Sequence, residues 1–359
     1  MQHKMHLNDS KKYHITLDLK EELKNFQVKE KKYTIPIFIP HKGCKNECVF
    51  CNQRKISGVI QDVTPQDVKV EIEEYLKYFN EPKTQVIEIA FFGGSFTGIP
   101  LELQKQYLQV ANEYIKTGQV KSIRLSTRPD YITIPILKML KQYHVETIEL
   151  GVQSMDDTVL KLSKRGHTSK EVVRASKLIR LFDFRLGHQM MIGLPGSNLQ
   201  SELETIQKIL KGKPEDLRIY PVYVIDPSEL YTMYQNKEYI PLTLEEAIFR
   251  CQKVIHVCQN TNVRIIRLGL QSTDIIREKN KEIVGPVSDN FAEYVMAELV
   301  KEKIESIVKE KGYRNGILEI TVPSKYVSVT VGPKKVNKLY FEQKYSLEYN
   351  VKGDSKWKK

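Results

Sequence analysis

The stretch TIPIFIPHKGCKNECVFC, residues 34–51, joins a short apolar segment to three closely spaced cysteines. The apolar residues before Pro40 predict a buried strand, and the cysteines follow it as Cys44, Cys48 and Cys51. A C-x3-C-x2-C triplet supplies three thiolates, whereas a cubane iron–sulfur cluster has four irons, so one iron would stay open to a reagent. The sequence therefore predicts a [4Fe–4S] cluster held by these three cysteines.

Zinc is the competing interpretation of the triplet. A tetrahedral zinc site needs a fourth cysteine or histidine at finger-like spacing, and only His41 is near. The remaining cysteines, Cys251 and Cys258, are predicted to lie about 10 Å apart on one helix, which is too far for a disulfide. We expect both to be buried thiols of the core.

Composition limits the class of protein. The chain has 359 residues, and its apolar fraction of 41% is enough for a sizeable core. The lysine-rich start lacks the apolar segment of a signal peptide, and no apolar run could span a bilayer, so we expect a cytoplasmic protein without a membrane partner. Residues 301–359 hold 14 Lys and Arg against 7 Asp and Glu, within a net charge of +12. This basic segment is consistent with a nucleic-acid partner and equally with a solubilising surface.

Short apolar runs alternate with amphipathic helical segments from residue 34 onward. This alternation predicts a parallel α/β fold, with strands at Thr34–Ile39, Val86–Phe92, Ser122–Ser126, Glu146–Gly151, Phe184–Ile192 and Asp216–Val222. Unusual residues follow every one of these strands, and barrels build their sites from such carboxyl ends. The pattern therefore favours a partial (β/α)6 barrel over a doubly wound sheet, which would concentrate its site at one switch point.

The rest of the chain is divided around this barrel. Residues 1–33 are predicted to be a basic N-terminal extension, and residues 34–225 the partial barrel. Residues 226–311 contain further helical patterns and a strand at Arg264–Leu268, and are expected to close the side of the barrel. Residues 312–359 predict a small basic α+β tail, with strand-like alternation at Ile317–Val322, Val327–Val331 and Leu347–Val351.

The motifs, taken in order, resemble the radical S-adenosylmethionine (SAM) superfamily. Its signature is C-x3-C-x-aromatic-C, in which Phe50 fills the aromatic place, and Gly93-Gly94 matches the glycine pair that lets the backbone approach the amino group of SAM. A closer resemblance is to the radical SAM half of the catalytic subunit of Elongator, over roughly residues 34–290. The stretches that carry it are FGGSF (92–96), TRPDY (127–131), ELGVQS (149–154), RGHT (165–168) and RIYP (218–221).

This resemblance implies a function. A [4Fe–4S] cluster on the three cysteines would bind SAM and cleave it reductively to a 5′-deoxyadenosyl radical, and the family modifies the wobble uridine of transfer RNA. A reductant such as flavodoxin or ferredoxin is implied as a partner. Ser126 would meet the ribose, Gln153 and Gln189 would hydrogen-bond SAM, and Arg165 would pair with its carboxylate. The full set of implied SAM contacts is Phe50, Gly93, Gly94, Ser95, Ser126, Arg128, Gln153, Arg165 and Gln189.

Two departures from the Elongator pattern leave the substrate open. The family has a wider cysteine spacing, and nothing after residue 290 has the length or the glycine-rich loop of its acetyltransferase domain. One alternative is a radical SAM oxidase of the oxygen-independent coproporphyrinogen oxidase type, or another enzyme with a small-molecule substrate. Those oxidases usually carry a fourth cysteine where this chain has Gln53. Another alternative is a non-catalytic iron–sulfur RNA-binding protein.

One motif of the tail bears on RNA. Gly332-Pro333-Lys334-Lys335, followed by a short helix and a last strand, resembles part of the KH fold, in which a GXXG loop clamps the nucleic-acid backbone. Lys335 stands at the place of the second glycine. The alternative is a basic hairpin that caps the barrel.

Overall fold

The computed structural model describes residues 11–27, 32–39, 43–44, 47–52, 62–270 and 283–355. They form two compact units. The larger unit contains the described parts of residues 26–247 and 260–289, and the smaller those of 1–25, 248–259 and 290–359. The first strand, β1 (Lys11–Thr16), belongs to the smaller unit.

The larger unit is built on one sheet of seven parallel strands in chain order. Its strands are β2 (Lys32–Phe38), β3 (Val86–Phe92), β4 (Ser122–Thr127), β5 (Val145–Gln153), β6 (Arg185–Ile192), β7 (Asp216–Pro221) and, after the short β8 (Val224–Ile225), β9 (Arg264–Leu268). The strand β8 pairs separately with β10 (Ile283–Val284) in an antiparallel ribbon. The seven-stranded sheet curls into a half-barrel, which confirms the predicted partial barrel.

Helices connect the strands. They are α1 (Pro65–Leu76), α2 (Leu101–Lys116), α3 (Ile134–Gln142), α4 (Asp157–Leu162), α5 (Ser169–Leu181), α6 (Leu199–Lys211), α7 (Glu229–Gln235) and α8 (Leu244–Cys258). The start of α1 shows how the sequence sets a boundary: Thr64 and Asp67 form a capping box, and Pro65 occupies the first turn. On α8, Cys251 and Cys258 are buried, as predicted.

The two faces of the half-barrel differ in chemistry. Apolar side chains such as Ile89, Leu125 and Leu150 are fully buried, whereas the intervening positions on the same strands carry charged groups. Arg124 of β4 donates to Asp216 of β7 at 3.2 Å, although these strands would lie about 14 Å apart in a flat sheet. This bond therefore crosses the concave side of the curled sheet.

The concave charges form one buried network. Arg124 also bonds to Glu88 at 3.0 Å and to Glu149 at 2.5 Å, and Arg218 bonds to Glu149 at 2.6 Å. Burial works against ionisation of Asp216, but hydrogen bonds and charges of the facing arginines prevail and hold its pKa at about 2. The network therefore stays ionised and ties four strands together below the carboxyl edge.

The smaller unit is an α+β domain. Its strands β11 (Gly316–Pro323) and β12 (Leu347–Asp354) form a parallel sheet with β1 in the order β1-β11-β12. Its helices are α9 (Phe291–Glu310), α10 (Val327–Val331) and α11 (Val336–Tyr345). Across both units, none of the described helices is long and apolar enough to cross a membrane.

One predicted strand is wrong. The alternating segment Val327–Val331 is the helix α10, not a strand. The 3-10 turn Ser324–Tyr326 reverses the chain after β11, and buried Thr330 donates to the carbonyl oxygen of Tyr326 at 2.7 Å. For a segment of five residues, the contacts made in the folded protein therefore outweigh the strand preference of its alternating pattern.

Candidate functional site

The cysteine loop begins at the carboxyl end of β2 and places its thiols in different surroundings. Cys44 is exposed, Cys48 is buried and Cys51 is half-buried. A tight turn joins the last two, because the amide of Cys51 donates to the carbonyl oxygen of Cys48 at 2.9 Å. Val49 donates to the carbonyl oxygen of Ser163 at 3.3 Å and accepts an amide hydrogen bond from α7 at 2.7 Å. Backbone bonds therefore fix the second half of the loop.

Two glycines let the first half of the loop touch the segment that follows β3. A Cβ atom on Gly43 would lie 2.2 Å from the carbonyl oxygen of Ser95, and one on Gly98 would lie 2.1 Å from the carbonyl oxygen of Gly43. Sγ of Cys44 lies 3.4 Å from Oγ of Ser95. Neither glycine is a predicted site residue, although one precedes Cys44 directly and the other closely follows the motif FGGSF. Residues 93–98, which follow β3, form what we call the glycine-pair segment. The cysteine loop and this segment thus pack backbone against backbone.

Arg165 links the cysteine loop to the end of β5. Its Nη1 donates to Sγ of Cys48 at 3.0 Å, and its Nη2 donates to the carbonyl oxygen of Gly151 at 2.6 Å. A positive guanidinium therefore lies beside a sulfur that would carry negative charge as an iron ligand. The buried Nε of Arg165 has no hydrogen-bond partner among the described residues. Pairing of Arg165 with the carboxylate of SAM stays a prediction.

A bulge at the end of β5 brings two predicted SAM contacts together. The register with β6 shifts between Gly151 and Gln153, and Gln153 has a φ of +67°. Nε2 of Gln189 donates to Oε1 of Gln153 at 3.3 Å. Left-handed backbone at a residue other than glycine is strained, and such strain is concentrated at functional sites.

The ends of β3 and β4 are also joined. Gly93 has a φ of +91°, which glycine adopts at little cost, and the hydroxyl oxygens of buried Thr97 and Thr127 lie 2.6 Å apart. The predicted SAM contacts on these two strand ends are Gly93, Gly94, Ser95 and Ser126. Because all the strands are parallel, these residues share one edge of the half-barrel with the cysteine loop.

Two other predicted SAM contacts already have partners within the protein. Arg128 donates to Asp130 at 3.0 and 3.2 Å, and its guanidinium lies over the ring of Tyr131 at 5.5 Å. Only its buried Nη1 lacks a hydrogen-bond partner in the described part of the chain. Phe50 packs against an apolar cluster that includes Leu230. Both residues thus have partners within the protein, and their contact with SAM stays a prediction.

His167 is buried in the same region. Burial, with the positive charges of Arg165 and Arg128, lowers its pKa to about 3, so the imidazole is neutral at neutral pH. It lines a cleft of about 750 Å³ together with Glu47 of the cysteine loop and Lys164. None of the predicted SAM contacts lines this cleft.

The chemistry of the donors fits an iron–sulfur cluster, because one loop at the carboxyl edge carries three thiols. Within the part of the chain that the structure describes, no three cysteine, histidine or acidic side chains are grouped to hold a metal ion. Ligation by Cys44, Cys48 and Cys51 is therefore a prediction from the donors and their spacing. His41 and Gln53, on which the zinc and oxidase alternatives depend, lie outside the described residues.

The fold and the site define a class of protein: an incomplete parallel barrel with a cysteine triplet, a glycine pair and paired glutamines at its strand ends. Residues 38–209 match the family model of the radical SAM superfamily, and residues 214–301 match that of the radical SAM C-terminal domain. The chain therefore belongs to the radical SAM superfamily.

Similar proteins confirm the resemblance to the catalytic subunit of Elongator. The chain is 30% identical over 250 residues to the tRNA uridine(34) acetyltransferase of Methanocaldococcus jannaschii, covering 58% of this chain and 46% of that protein. It is 29% identical over 305 residues to an uncharacterized protein of the same organism, covering 80% of this chain and 88% of that protein. The archaeal Elp3 of Methanocaldococcus infernus, solved with an N-terminal deletion, shares the fold, with a TM-score of 0.57 and 22% sequence identity. The similarity covers 80% of this chain and 64% of that chain.

The match to the acetyltransferases is partial. This chain spans between 36% and 50% of the length of the tRNA uridine(34) acetyltransferases that it matches. The similarity therefore concerns their radical SAM region.

Proposed function

We propose that the chain is a radical SAM enzyme that cleaves SAM reductively and uses the product to modify transfer RNA. The observation that carries this proposal is the close packing of the cysteine loop on the glycine-pair segment. Gly43 and Gly98 permit that packing, which holds Cys44 beside the strand edge expected to receive SAM. When bound, the cluster and SAM would supply one-electron cleavage of a sulfonium to a 5′-deoxyadenosyl radical.

Residues of this chain hold and orient the reactants. Cys44, Cys48 and Cys51 would bind three irons, and Arg165 orients one of these sulfurs through its hydrogen bond. The Gly93-Gly94 backbone, which lacks side chains, would receive the amino group of SAM. The joined amides of Gln153 and Gln189 would hydrogen-bond the rest of the cofactor, and the 5% exposure of Gln153 keeps water from that contact.

Transfer RNA is supported as the substrate class by similarity. The acetyltransferase that is 30% identical to this chain is named for position 34 of tRNA. Since the match covers less than half of that protein, neither acetyl transfer nor the position is assigned to this chain. Modification of some tRNA nucleoside is the proposal.

Two measurements test these steps separately. After anaerobic reconstitution with iron and sulfide, and with a flavodoxin, a ferredoxin or dithionite as reductant, the protein should release 5′-deoxyadenosine from SAM. Replacing Cys44, Cys48 and Cys51 with alanine should abolish this release, whereas a Cys251→Ala/Cys258→Ala control should keep it. Release by the triple variant would contradict the cluster assignment.

The RNA step is tested in cells. Mass spectrometry of tRNA nucleosides from a strain lacking the gene should show the loss of one modified nucleoside, and the wild-type gene should restore it. The triple-alanine gene should fail to restore it. An unchanged nucleoside profile in the deletion strain would reject tRNA as the substrate while leaving SAM cleavage to be judged by the first measurement.

A further inference from the structure

The smaller unit contains two helices joined by a four-residue loop between neighbouring parallel strands. The chain runs from β11 through α10, the loop Gly332-Pro333-Lys334-Lys335 and α11 to β12. The two strands pair over their full length, from Gly316 with Leu347 to Pro323 with Asp354. The sheet is thus a rigid base for the loop, which we call the lysine loop.

Three residues of the lysine loop have positive φ angles. Gly332 has a φ of +81°, and a Cβ atom there would lie 2.7 Å from Cγ2 of Val336, so glycine is required. Lys335, at the place of the second glycine in a GXXG loop, has φ and ψ of +61° and +29°, and Lys334 has +51° and +25°. The left-handed region is one that glycine enters easily and lysine does not. The loop therefore holds Lys334 and Lys335 in backbone conformations that favour glycine.

Buried hydrogen bonds hold this shape from below. The side chain of Asn337, which is 1% exposed, donates to the carbonyl oxygens of Ala297 at 2.9 Å and Thr330 at 3.2 Å. The hydroxyl of Tyr349, on β12, donates to the same carbonyl oxygen of Thr330 at 2.9 Å. Helices α9, α10 and α11 and the sheet thus fix the two ends of the lysine loop.

The lysine loop presents charge and apolar surface side by side. Lys334 and Lys335 are exposed, and neither ammonium group has an ion pair or hydrogen bond within the described part of the chain. Val336 and Leu339, one helical turn apart on α11, are 37% and 47% exposed. Positive groups beside an apolar face suit a ligand that presents phosphates and unstacked bases together. Single-stranded nucleic acid is such a ligand, because its bases are not paired in a duplex.

We propose that the lysine loop and the adjoining face of α11 bind a single-stranded segment of the RNA substrate. Lys334 and Lys335 contact successive phosphates, and Val336 and Leu339 receive an unstacked base. The identity of the RNA rests on the proposed function. Binding of RNA by the smaller unit itself does not depend on SAM cleavage.

The test compares two charge-matched double variants of the full-length protein. Lys334→Asn/Lys335→Asn removes two charges with a residue that tolerates the left-handed backbone, and Lys116→Asn/Lys121→Asn removes two exposed charges from the larger unit. Binding of a fluorescent unpaired oligoribonucleotide, taken from a tRNA anticodon loop, is measured from low to high salt. Losing two phosphate contacts should reduce the salt slope by about 1.4 and weaken binding about tenfold at 0.15 M salt.

A third variant tests the apolar part. Leu339→Gln should weaken binding several-fold while leaving the salt slope unchanged, because it removes base contact and no charge. The same oligoribonucleotide in a duplex should bind more weakly to the wild type than the unpaired strand does.

The outcomes separate this inference from the proposed function. If the loop variant binds with the affinity and salt slope of the wild type, or the Lys116/Lys121 control loses as much, the inference is rejected. Binding of the duplex as tightly as the single strand, or no RNA binding by the wild type, also rejects it. Reductive SAM cleavage without RNA should be equal in all variants; a wild type that binds RNA through this loop but cleaves no SAM would reject the proposed function alone.

Discussion

Replacing Gly43 with alanine should damage the metal site more than the fold. The new Cβ atom would lie 2.2 Å from the carbonyl oxygen of Ser95 and 2.7 Å from backbone atoms of Gly98 and Ile99. All three contacts are with backbone, so the cysteine loop itself must move away. The φ of +79° at Gly43 adds about 1–2 kcal/mol of backbone strain, and overpacking adds about 1–3 kcal/mol.

A matched control isolates the close packing from the strain. Gly118 has nearly the same φ, +75°, but a Cβ atom there would have no neighbour within 4 Å among the described residues. Gly118→Ala should therefore carry only the strain of about 1–2 kcal/mol and leave the metal site intact. The difference between the two variants measures what the contact with Ser95 contributes.

The assay is iron and sulfide content per chain after anaerobic reconstitution, followed by release of 5′-deoxyadenosine. Gly43→Ala should lose at least half of its iron and most of its SAM cleavage, with circular dichroism close to that of the wild type. Gly118→Ala should match the wild type in both. Wild-type iron content and cleavage in Gly43→Ala would refute the reasoning that this backbone contact positions the cluster ligands.

Three further predictions concern the charges. Asp216→Asn leaves three arginines at 2.8 to 3.2 Å without their anion, so it should destabilise the larger unit by about 3–5 kcal/mol in a thermal melt, whereas Glu102→Gln at an exposed pair should not shift the melt. Because the pKa of Asp216 is about 2 instead of 3.8, its ionised form should contribute up to about 2 kcal/mol of stability above pH 4, and this contribution should be lost as the pH falls toward 2. Thermal melts of Asp216→Asn should not show this decrease of stability with falling pH. Arg165→Lys keeps the charge but cannot bond both Cys48 and the carbonyl at the end of β5, so SAM cleavage should fall about 10–100-fold with far-UV circular dichroism unchanged.

Local pattern predicts the frame of the barrel. Strands such as Val86–Phe92 are apolar runs, interrupted there only by Glu88, and such runs predict buried strands. The start of α1 follows from its Thr64 cap and Pro65. These features depend on neighbours in sequence, so the sequence alone is enough to predict them.

Long-range pairing explains what the sequence does not predict. The strand β1 pairs with β11, some 300 residues away, from Lys11 with Gly316 to Thr16 with Thr321, and no local pattern of the lysine-rich N-terminus indicates this partner. The helical conformation of Val327–Val331, where the sequence pattern predicts a strand, likewise depends on packing around Thr330.

The candidate site shows the same division. The cysteine triplet and the glycine pair are recognisable from spacing. The roles of Gly43 and Gly98 depend on two loops meeting, and the left-handed Gln153 depends on a register shift between β5 and β6. Neither feature has a local sequence pattern that separates it from an ordinary turn.

Mössbauer spectroscopy of the anaerobically reconstituted, iron-57-labelled protein, recorded with and without SAM, shows whether one iron of the cluster is open to SAM. We expect a four-iron cluster in which one iron changes its spectrum when SAM is added, because only three cysteines serve as ligands. A preparation without a four-iron spectrum, or one whose four irons are all unaffected by SAM, would contradict it.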